Sequence, residues 1–320
     1  MLMVMRRLVS NHPKRQKLNY ERRNIMSSKF IKYENNPVLG SKELGTCFDV
    51  YVWKDNGKYR MDFSWRREQS AAVSFSDDGI TWSEPIITLA PNRDSGWEDR
   101  INRTCVIKVN GVYKMYYTGQ SECFSYIGLA ESLDGISFKR VCNEPIMIPE
   151  FPYEGFSVMN PCVIYEDGVY KMWYSSGETN EPNFICYAES KNGIDFVKRK
   201  TNPILMKNWR NWFEKDRLGG CQVLKTDDMG YVIFYIGYED INTARICVAK
   251  SKNGITNWER STLNPIIQPT KDEWDGDATY KPSAIWIPEL NEWRVYYNGR
   301  LKNNEYVGFA RFNKRNLFED

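Results

Sequence analysis

Apolar and polar positions alternate in short runs along most of the chain, and the runs come in sets of four. Each set opens with a short apolar strand, turns at a Gly, and continues into a strand dense in aromatics. The second strands read Tyr59-Arg-Met-Asp-Phe-Ser, Tyr113-Lys-Met-Tyr-Tyr-Thr, Tyr170-Lys-Met-Trp-Tyr-Ser, Tyr231-Val-Ile-Phe-Tyr-Ile and Trp293-Arg-Val-Tyr-Tyr-Asn, and they start 54, 57, 61 and 62 residues apart. Third strands end in Ser76-Asp-Asp-Gly-Ile-Thr-Trp82, Ser132-Leu-Asp-Gly-Ile-Ser-Phe138, Ser190-Lys-Asn-Gly-Ile-Asp-Phe196 and Ser251-Lys-Asn-Gly-Ile-Thr-Asn-Trp258. Fourth strands read Glu84-Pro-Ile-Ile, Glu144-Pro-Ile-Met, Asn202-Pro-Ile-Leu and Asn264-Pro-Ile-Ile. Four strands at a fixed period predict an all-β, five-bladed β-propeller with four-stranded blades.

The fifth set lacks its Pro-Ile strand, and Asn36-Pro-Val-Leu39 supplies one at the other end of the chain. The N-terminal strand is therefore expected to complete the C-terminal blade, closing the ring and hiding its edge. This gives one propeller domain over 30–320. Residues 1–29 form a polar, basic tail without periodicity, read as disordered or as translated from a start upstream of Met26.

Charge changes the picture little. The net charge of +3 splits into +6 over residues 1–25 and −3 over the rest, so no basic face for nucleic acid is indicated. No apolar run reaches the roughly 18–20 residues of a membrane span. The eight cysteines form no Cys-x-x-Cys pair and read as reduced core residues of a cytoplasmic protein. His12, in the tail, is the one histidine, which removes His-based triads and His-ligated metals from the folded domain. No phosphate-binding glycine loop is present, and no cofactor is expected. An ion at the axis would have to be Ca- or Mg-like, held by oxygen.

Chemistry must rest on carboxylates. First-strand starts and second-strand ends share one face of a propeller, and residues there that break the repeat are free to serve a ligand. The starts carry Asp49, Arg103, Asn160, the Cys221-Gln222 pair and Lys281. The ends carry Arg66, Gln120, Glu178, Glu239 with Asp240, and Arg300; segments just before strand one add Asp99, Asp216 and Asp277. Asp49 stands out as a carboxylate within the apolar stretch Phe48-Asp-Val-Tyr-Val, where burial without partners costs several kcal/mol. It reads as a base or substrate-binding acid, or as half of an ion pair with Arg103 or Arg66. Trp65, Trp173, Tyr238 and Tyr297 are candidates to stack on sugar rings or to pack between blades. Features that recur, each in four of the five blades, read as structural. These are the Asp/Asn-Gly turns, with Gly at positive φ, and an acid after an aromatic at Glu98, Glu154, Glu214 and Asp275, expected to bond a neighbouring blade's backbone.

The Asn-Pro-Val-Leu opening, the Ser-x-Asp-Gly-Ile-x-Trp turns and the Asp in the first inner strand resemble the five-bladed propeller glycosidases, glycoside hydrolase families 43, 32, 68, 117 and 130. The resemblance spans about residues 35–312. In families 43 and 32 it implies a base or nucleophile at Asp49. Their second acid falls on Asn160, and their general acid falls near Gly219-Gly220-Cys221. Trp97-Glu-Asp-Arg-Ile101 resembles the Glu-Asp-Pro-Arg of family 130.

The implied function is a glycoside hydrolase acting on a terminal sugar of an oligo- or polysaccharide, since short loops suit a pocket for chain ends. Asp49 is expected as base, with Glu178, Asp240 or Asp99 as the partner acid. Arg66, Arg103, Asn160, Gln222, Lys281, Arg300, Asp277 and Asp216 are expected to bind the carbohydrate. A glycan phosphorylase or transglycosylase, or a non-catalytic sugar-binding propeller, are the alternatives. No nucleic acid or membrane partner is expected.

Overall fold

Each repeat folds as one antiparallel sheet. The computed structural model describes residues 30–318, so the basic tail lies outside the described residues. Blade one comprises β2 (Cys47–Asp55), β3 (Lys58–Trp65), β4 (Ser70–Ser76) and β5 (Ile86–Leu89). Blade two comprises β6 (Arg100–Val109), β7 (Val112–Gln120), β8 (Ser125–Ser132) and β9 (Lys139–Arg140). Blade three comprises β10 (Ser157–Glu166), β11 (Val169–Gly177), β12 (Phe184–Ser190) and β13 (Val197–Lys198). Blade four comprises β14 (Arg217–Thr226), β15 (Gly230–Tyr238), β16 (Ala244–Ser251) and β17 (Glu259–Arg260). Blade five comprises β18 (Ala278–Ile287), β19 (Glu292–Leu301) and β20 (Asn304–Phe312), with β1 (Ile31–Lys32) as its outer strand.

The ring closes as the sequence implies: Ile31 pairs with Arg311, Lys32 with Ala310, and Leu39 bridges Val307. The Pro-Ile segments differ from expectation in one respect. In blades two to five the regular ladder lies earlier, in β9, β13, β17 and β1, and the Pro-Ile segments and Asn36-Pro-Val-Leu39 add single bridges at Met147, Leu205, Ile267 and Leu39. Proline cannot donate to a ladder, and in three blades the preceding asparagine replaces the missing backbone pair. Asn36 accepts from Phe309 N–H and donates to Phe309 O; Asn202 does so with Tyr187 and Asn264 with Val248.

The third-strand turns have two functions. Asp78 Oδ1 accepts the N–H groups of Ile80 and Thr81 at 2.7 and 2.8 Å, and Gly79 sits at φ 71°. Its carbonyl accepts the Tyr296 hydroxyl of blade five at 2.7 Å, and a Cβ there would lie 2.6 Å from that oxygen. Tyr116 and Trp173 donate likewise to Gly193 and Gly254 of their neighbours. Glycine is thus required both for its backbone region and for the close approach of the next blade.

The repeated acids are structural, but they act within their own blade. Glu98 pairs with Arg140 at 2.6 Å, Glu154 with Lys198 at 2.9 Å, Glu214 with Arg260 at 2.7 Å, and Asp275 with Lys32 at 2.5 Å; all four acids are fully buried. Each ties the segment ahead of strand one to the outermost strand. The hydroxyls of Tyr174, Tyr235 and Tyr297 donate to the acids of blades three to five. Burial raises the Glu98 and Glu214 carboxyls, and the arginines oppose that shift. All eight cysteines are free thiols.

Candidate active site

Strand one breaks register with strand two once in every blade. The breaks lie between Phe48 and Tyr51, Asn102 and Cys105, Met159 and Cys162, Leu218 and Cys221, and Tyr280 and Ser283. In four blades a non-glycine residue at the break is left-handed: Asp49 at φ 57°, Arg103 at 57°, Asn160 at 56° and Lys281 at 51°. Each such residue costs about 1–2 kcal/mol. A bulge re-aims the side chain that a regular strand would send elsewhere. These four side chains line one cavity of about 220 Å³ at the axis.

Second strands hold the bulges in place. Ser64 accepts the N–H of Arg103, Thr118 that of Asn160, and Asn298 that of Asp49, each across a blade boundary. These acceptors share one sequence position, five residues after the Tyr or Trp that opens strand two. Blade four contributes Gly220, where a Cβ would lie 2.7 Å from the Asn160 side chain. Asn160 donates to Ser175 and accepts from the Lys281 ammonium at 3.1 Å.

Asp49 is 3% exposed. Its Oδ2 accepts the Ser64 hydroxyl at 3.2 Å, while Oδ1 lies 3.8 Å from Arg103 Nε. The other charge contacts around the cavity are equally long: Arg66 to Glu305 at 3.6 Å, and Arg217 to Glu181 at 3.7 Å. The pairs that fasten the blades are about an ångström shorter. Burial lowers the Lys281 ammonium, which Asp49 counteracts and Arg103 reinforces. Tyr280 lies in the same wall, and burial, then Glu305 and Asp49, drives its hydroxyl far up, so it stays protonated.

Of the side chains expected at the site, Asp49, Arg66, Arg103, Asn160, Lys281 and Arg300 meet at this cavity, together with Gln120 and Tyr238. Glu178 is exposed on the loop after β11 and is not part of the lining. The Asp240 carboxylate accepts Asn242 and Thr243 N–H at 2.9 Å in its own turn; burial would raise it, but those bonds hold it below its ordinary value. Asp99 and Asp216 are half-buried outside the lining, and Asp277 accepts Lys302 N–H at 2.6 Å. Gln222 accepts Ala284 N–H at 2.5 Å and seals blade four against blade five. Trp173 and Tyr297 are fully buried core residues, and Trp65 donates to Leu44 O.

Sequence reasoning missed Glu305, Glu181 and Tyr280. Glu305 lies at the start of β20, directly across from Arg300, so third-strand starts share the face that strand-two ends occupy. Among the described residues, no group of three or more His, Cys, Asp or Glu side chains is placed to hold a metal ion. No described helix is long and apolar enough to cross a membrane.

No protein-family model matches the chain. An uncharacterized protein of Mycobacterium tuberculosis is 26% identical over 257 residues, covering 74% of this chain and 82% of that one. A 1,2-beta-oligomannan phosphorylase of Thermoanaerobacter sp. is 26% identical over 229 residues, covering 68% and 71%. Among solved structures, one described as a complex with RGII has a TM-score of 0.72 at 16% identity, over 93% of this chain and 94% of the other. A glycoside hydrolase gives 0.71 at 15% over 97% of both chains. The chain has the fold of the five-bladed propeller glycosidases. A third such glycosidase-fold neighbour, with a TM-score of 0.68 at 14% identity over 91% and 96%, comes from the GH130 family of mannoside phosphorylases, described as containing hydrolases that target beta-1,2 mannosidic linkages in Candida mannan.

Proposed function

We propose that this protein cleaves the glycosidic bond of a terminal sugar by hydrolysis, with Asp49 and Glu305 as its two acids. The observation that carries the reading is Asp49 itself. A carboxylate almost wholly buried, on a left-handed bulge at the floor of a cavity, has one hydroxyl in hydrogen-bond contact, a guanidinium at 3.8 Å and the Lys281 ammonium beyond 4.0 Å. Glycoside cleavage needs two carboxyl groups on either side of the anomeric carbon, one to protonate the leaving oxygen and one to activate water or attack. Asp49 is the inner of the two and acts as base or nucleophile. Glu305, in the same cavity wall as Tyr280, acts as acid, and the Tyr280 hydroxyl, kept protonated by burial, is a further group of that lining. A cavity of this size receives a chain end, and the neighbour described as a complex with RGII is consistent with a carbohydrate ligand.

A second reading, phosphorolysis, is favoured by the oligomannan phosphorylase relative. There inorganic phosphate replaces water as the nucleophile, and a single carboxylic acid suffices. A screen of aryl glycosides and short oligosaccharides, with and without phosphate, separates the two. Release of free sugar without phosphate supports hydrolysis, and turnover only with phosphate supports the second reading. Failure of every glycoside under both conditions leaves a sugar-binding propeller.

A further inference from the structure

Cations at the cavity differ from those that fasten the blades by what they lack. The fastening arginines and lysines sit 2.5–2.9 Å from a buried carboxylate. At the cavity, Arg66 and Arg103 stop 3.6 and 3.8 Å short of theirs, beyond hydrogen-bond length. Among the described residues, Lys281 and Arg300 have no carboxylate within 4.0 Å. Arg300 donates to a backbone carbonyl, Asn242 O. Lys281 is 6% exposed, and its ammonium, with three protons to donate, has a single amide oxygen as acceptor, Asn160 Oδ1.

A buried ammonium without a counterion is costly, because desolvation is not offset by a paired charge. The backbone nonetheless holds it in place. Lys281 adopts φ 51°, so the strained backbone brings the charge onto the cavity floor instead of releasing it to solvent. Asp49 is the one carboxylate whose charge acts on it, from beyond 4.0 Å, and its oxygens face Arg103 and Ser64. The lining holds four cations, Arg66, Arg103, Lys281 and Arg300, against three carboxylates, Asp49, Glu181 and Glu305. With every group ionised the lining is one negative charge short of neutrality, and a proton held on Glu305 as acid would widen that deficit, while the Lys281 ammonium has N–H donors to spare.

We infer that the floor of this cavity is an oxyanion subsite centred on Lys281, and that its occupant is an acidic group carried by the terminal sugar, such as the carboxylate of a hexuronic acid. The inference rests on the reading of the cavity as a sugar site and names the class of sugar. The same donors would also take a free oxyanion, and the experiment separates these two sources.

Titration calorimetry on the full chain, with glucuronic acid, galacturonic acid, their neutral parents glucose and galactose, and inorganic phosphate, tests the inference. The sugar acids are expected to bind at least tenfold more tightly than the neutral parents. That preference disappears in Lys281→Met and persists in Lys281→Arg, which keeps the charge; thermal melting of both variants verifies that they fold. If Lys281→Met does not fold, the preference is read instead in Arg300→Met, where it falls several-fold. Equal binding of acids and neutral sugars overturns the inference. So does Lys281-dependent binding of phosphate with none of the sugar acids, which assigns the floor to a free anion. Sugar-acid binding without cleavage of any glycoside would leave the subsite standing and remove the catalytic reading, so the two failures are distinct.

Discussion

Arg103 Nε stops 3.8 Å from Asp49 Oδ1, although both residues sit on left-handed bulges of adjacent blades and face one cavity. A structural pair would close that gap, as Arg60 and Asp62 do at 2.7 Å in the core. Leaving it open keeps both groups available to a ligand. Asp49→Asn is expected to lower turnover of a cleaved glycoside by roughly 10²–10⁴-fold. Asparagine tolerates positive φ better than most residues, and Ser64 retains a partner, so the melting temperature should shift by no more than a few degrees. Full activity in the variant would return Asp49 to a purely structural role.

Glu305 and the acids expected from the sequence are separable by substitution. Glu305→Gln is expected to reduce turnover of substrates with poor leaving groups by at least roughly 10²-fold, and to affect activated aryl glycosides less, as a general acid requires. Glu178→Gln and Asp240→Asn, outside the lining, should leave activity near the parental level. A large loss at Glu178 with none at Glu305 would reverse the assignment.

The blades were legible because every one repeats the same alternation, turn and aromatic strand, and ring closure followed from one missing segment and one spare. Much of the cavity was legible for the opposite reason: Asp49, Arg103, Asn160 and Lys281 differ where the repeat should agree. Two things hid the rest. The first hairpin of blade four holds three residues between Thr226 and Gly230, whereas that of blade three holds two between Glu166 and Val169. Counting back from the second strand therefore lands on Cys221 when Gly220 is the residue at the cavity. Side chains at loop starts obey turn geometry and not strand alternation, so Glu178 and Asp240 occupy promising positions yet turn away. Glu305 lies at the start of a third strand, and an expectation drawn from first-strand starts, the segments just before them and second-strand ends passes over it.

Besides its backbone pairing, ring closure includes one buried ion pair that a single substitution removes. Lys32 Nζ donates to Asp275 at 2.5 Å, to Gln268 O at 2.7 Å and to Thr270 at 2.6 Å. Lys32→Met would leave a fully buried carboxylate without its cation. Breaking such pairs costs about 3–5 kcal/mol, and the low end is expected here because the Lys32 side chain remains 25% exposed. Urea denaturation measures it, and a loss below about 1 kcal/mol would mean that β1 contributes little to closure.

The third-strand turns supply a test in pH. Asp78 is held below its ordinary value of 3.8: burial opposes this, but the N–H groups of Thr81 and Ile80 outweigh it. Asp134 is lowered likewise, by the Ser132 hydroxyl first and then by Ile136 and Ser137 N–H. A carboxyl with a lowered folded pKa contributes stability that is present above its ordinary pKa and is lost as pH falls through the folded value. Asn192 and Asn253 make the same bonds in blades three and four without a charge. The double variant Asp78→Asn/Asp134→Asn should therefore lose less melting temperature than the parent between about pH 5 and about pH 2. Identical acid limbs would show that these turns do not report on the charge.

Gly220 offers a way to disturb the cavity floor without touching a charge. A Cβ at this position would lie 2.7 Å from Asn160 Cγ and 2.9 Å from its Oδ1, the atom that accepts the Lys281 ammonium. Gly220→Ala must push the Asn160 amide away, and Lys281 loses its single hydrogen-bonding acceptor among the described residues. Turnover should fall about tenfold, an effect of the size expected when a ligand-positioning group shifts by a fraction of an ångström. Asn160→Ala in the Gly220→Ala background should add little further loss, because both changes act on one contact. Additive effects in that double-mutant cycle would show that Gly220 acts on the cavity by some route other than Asn160.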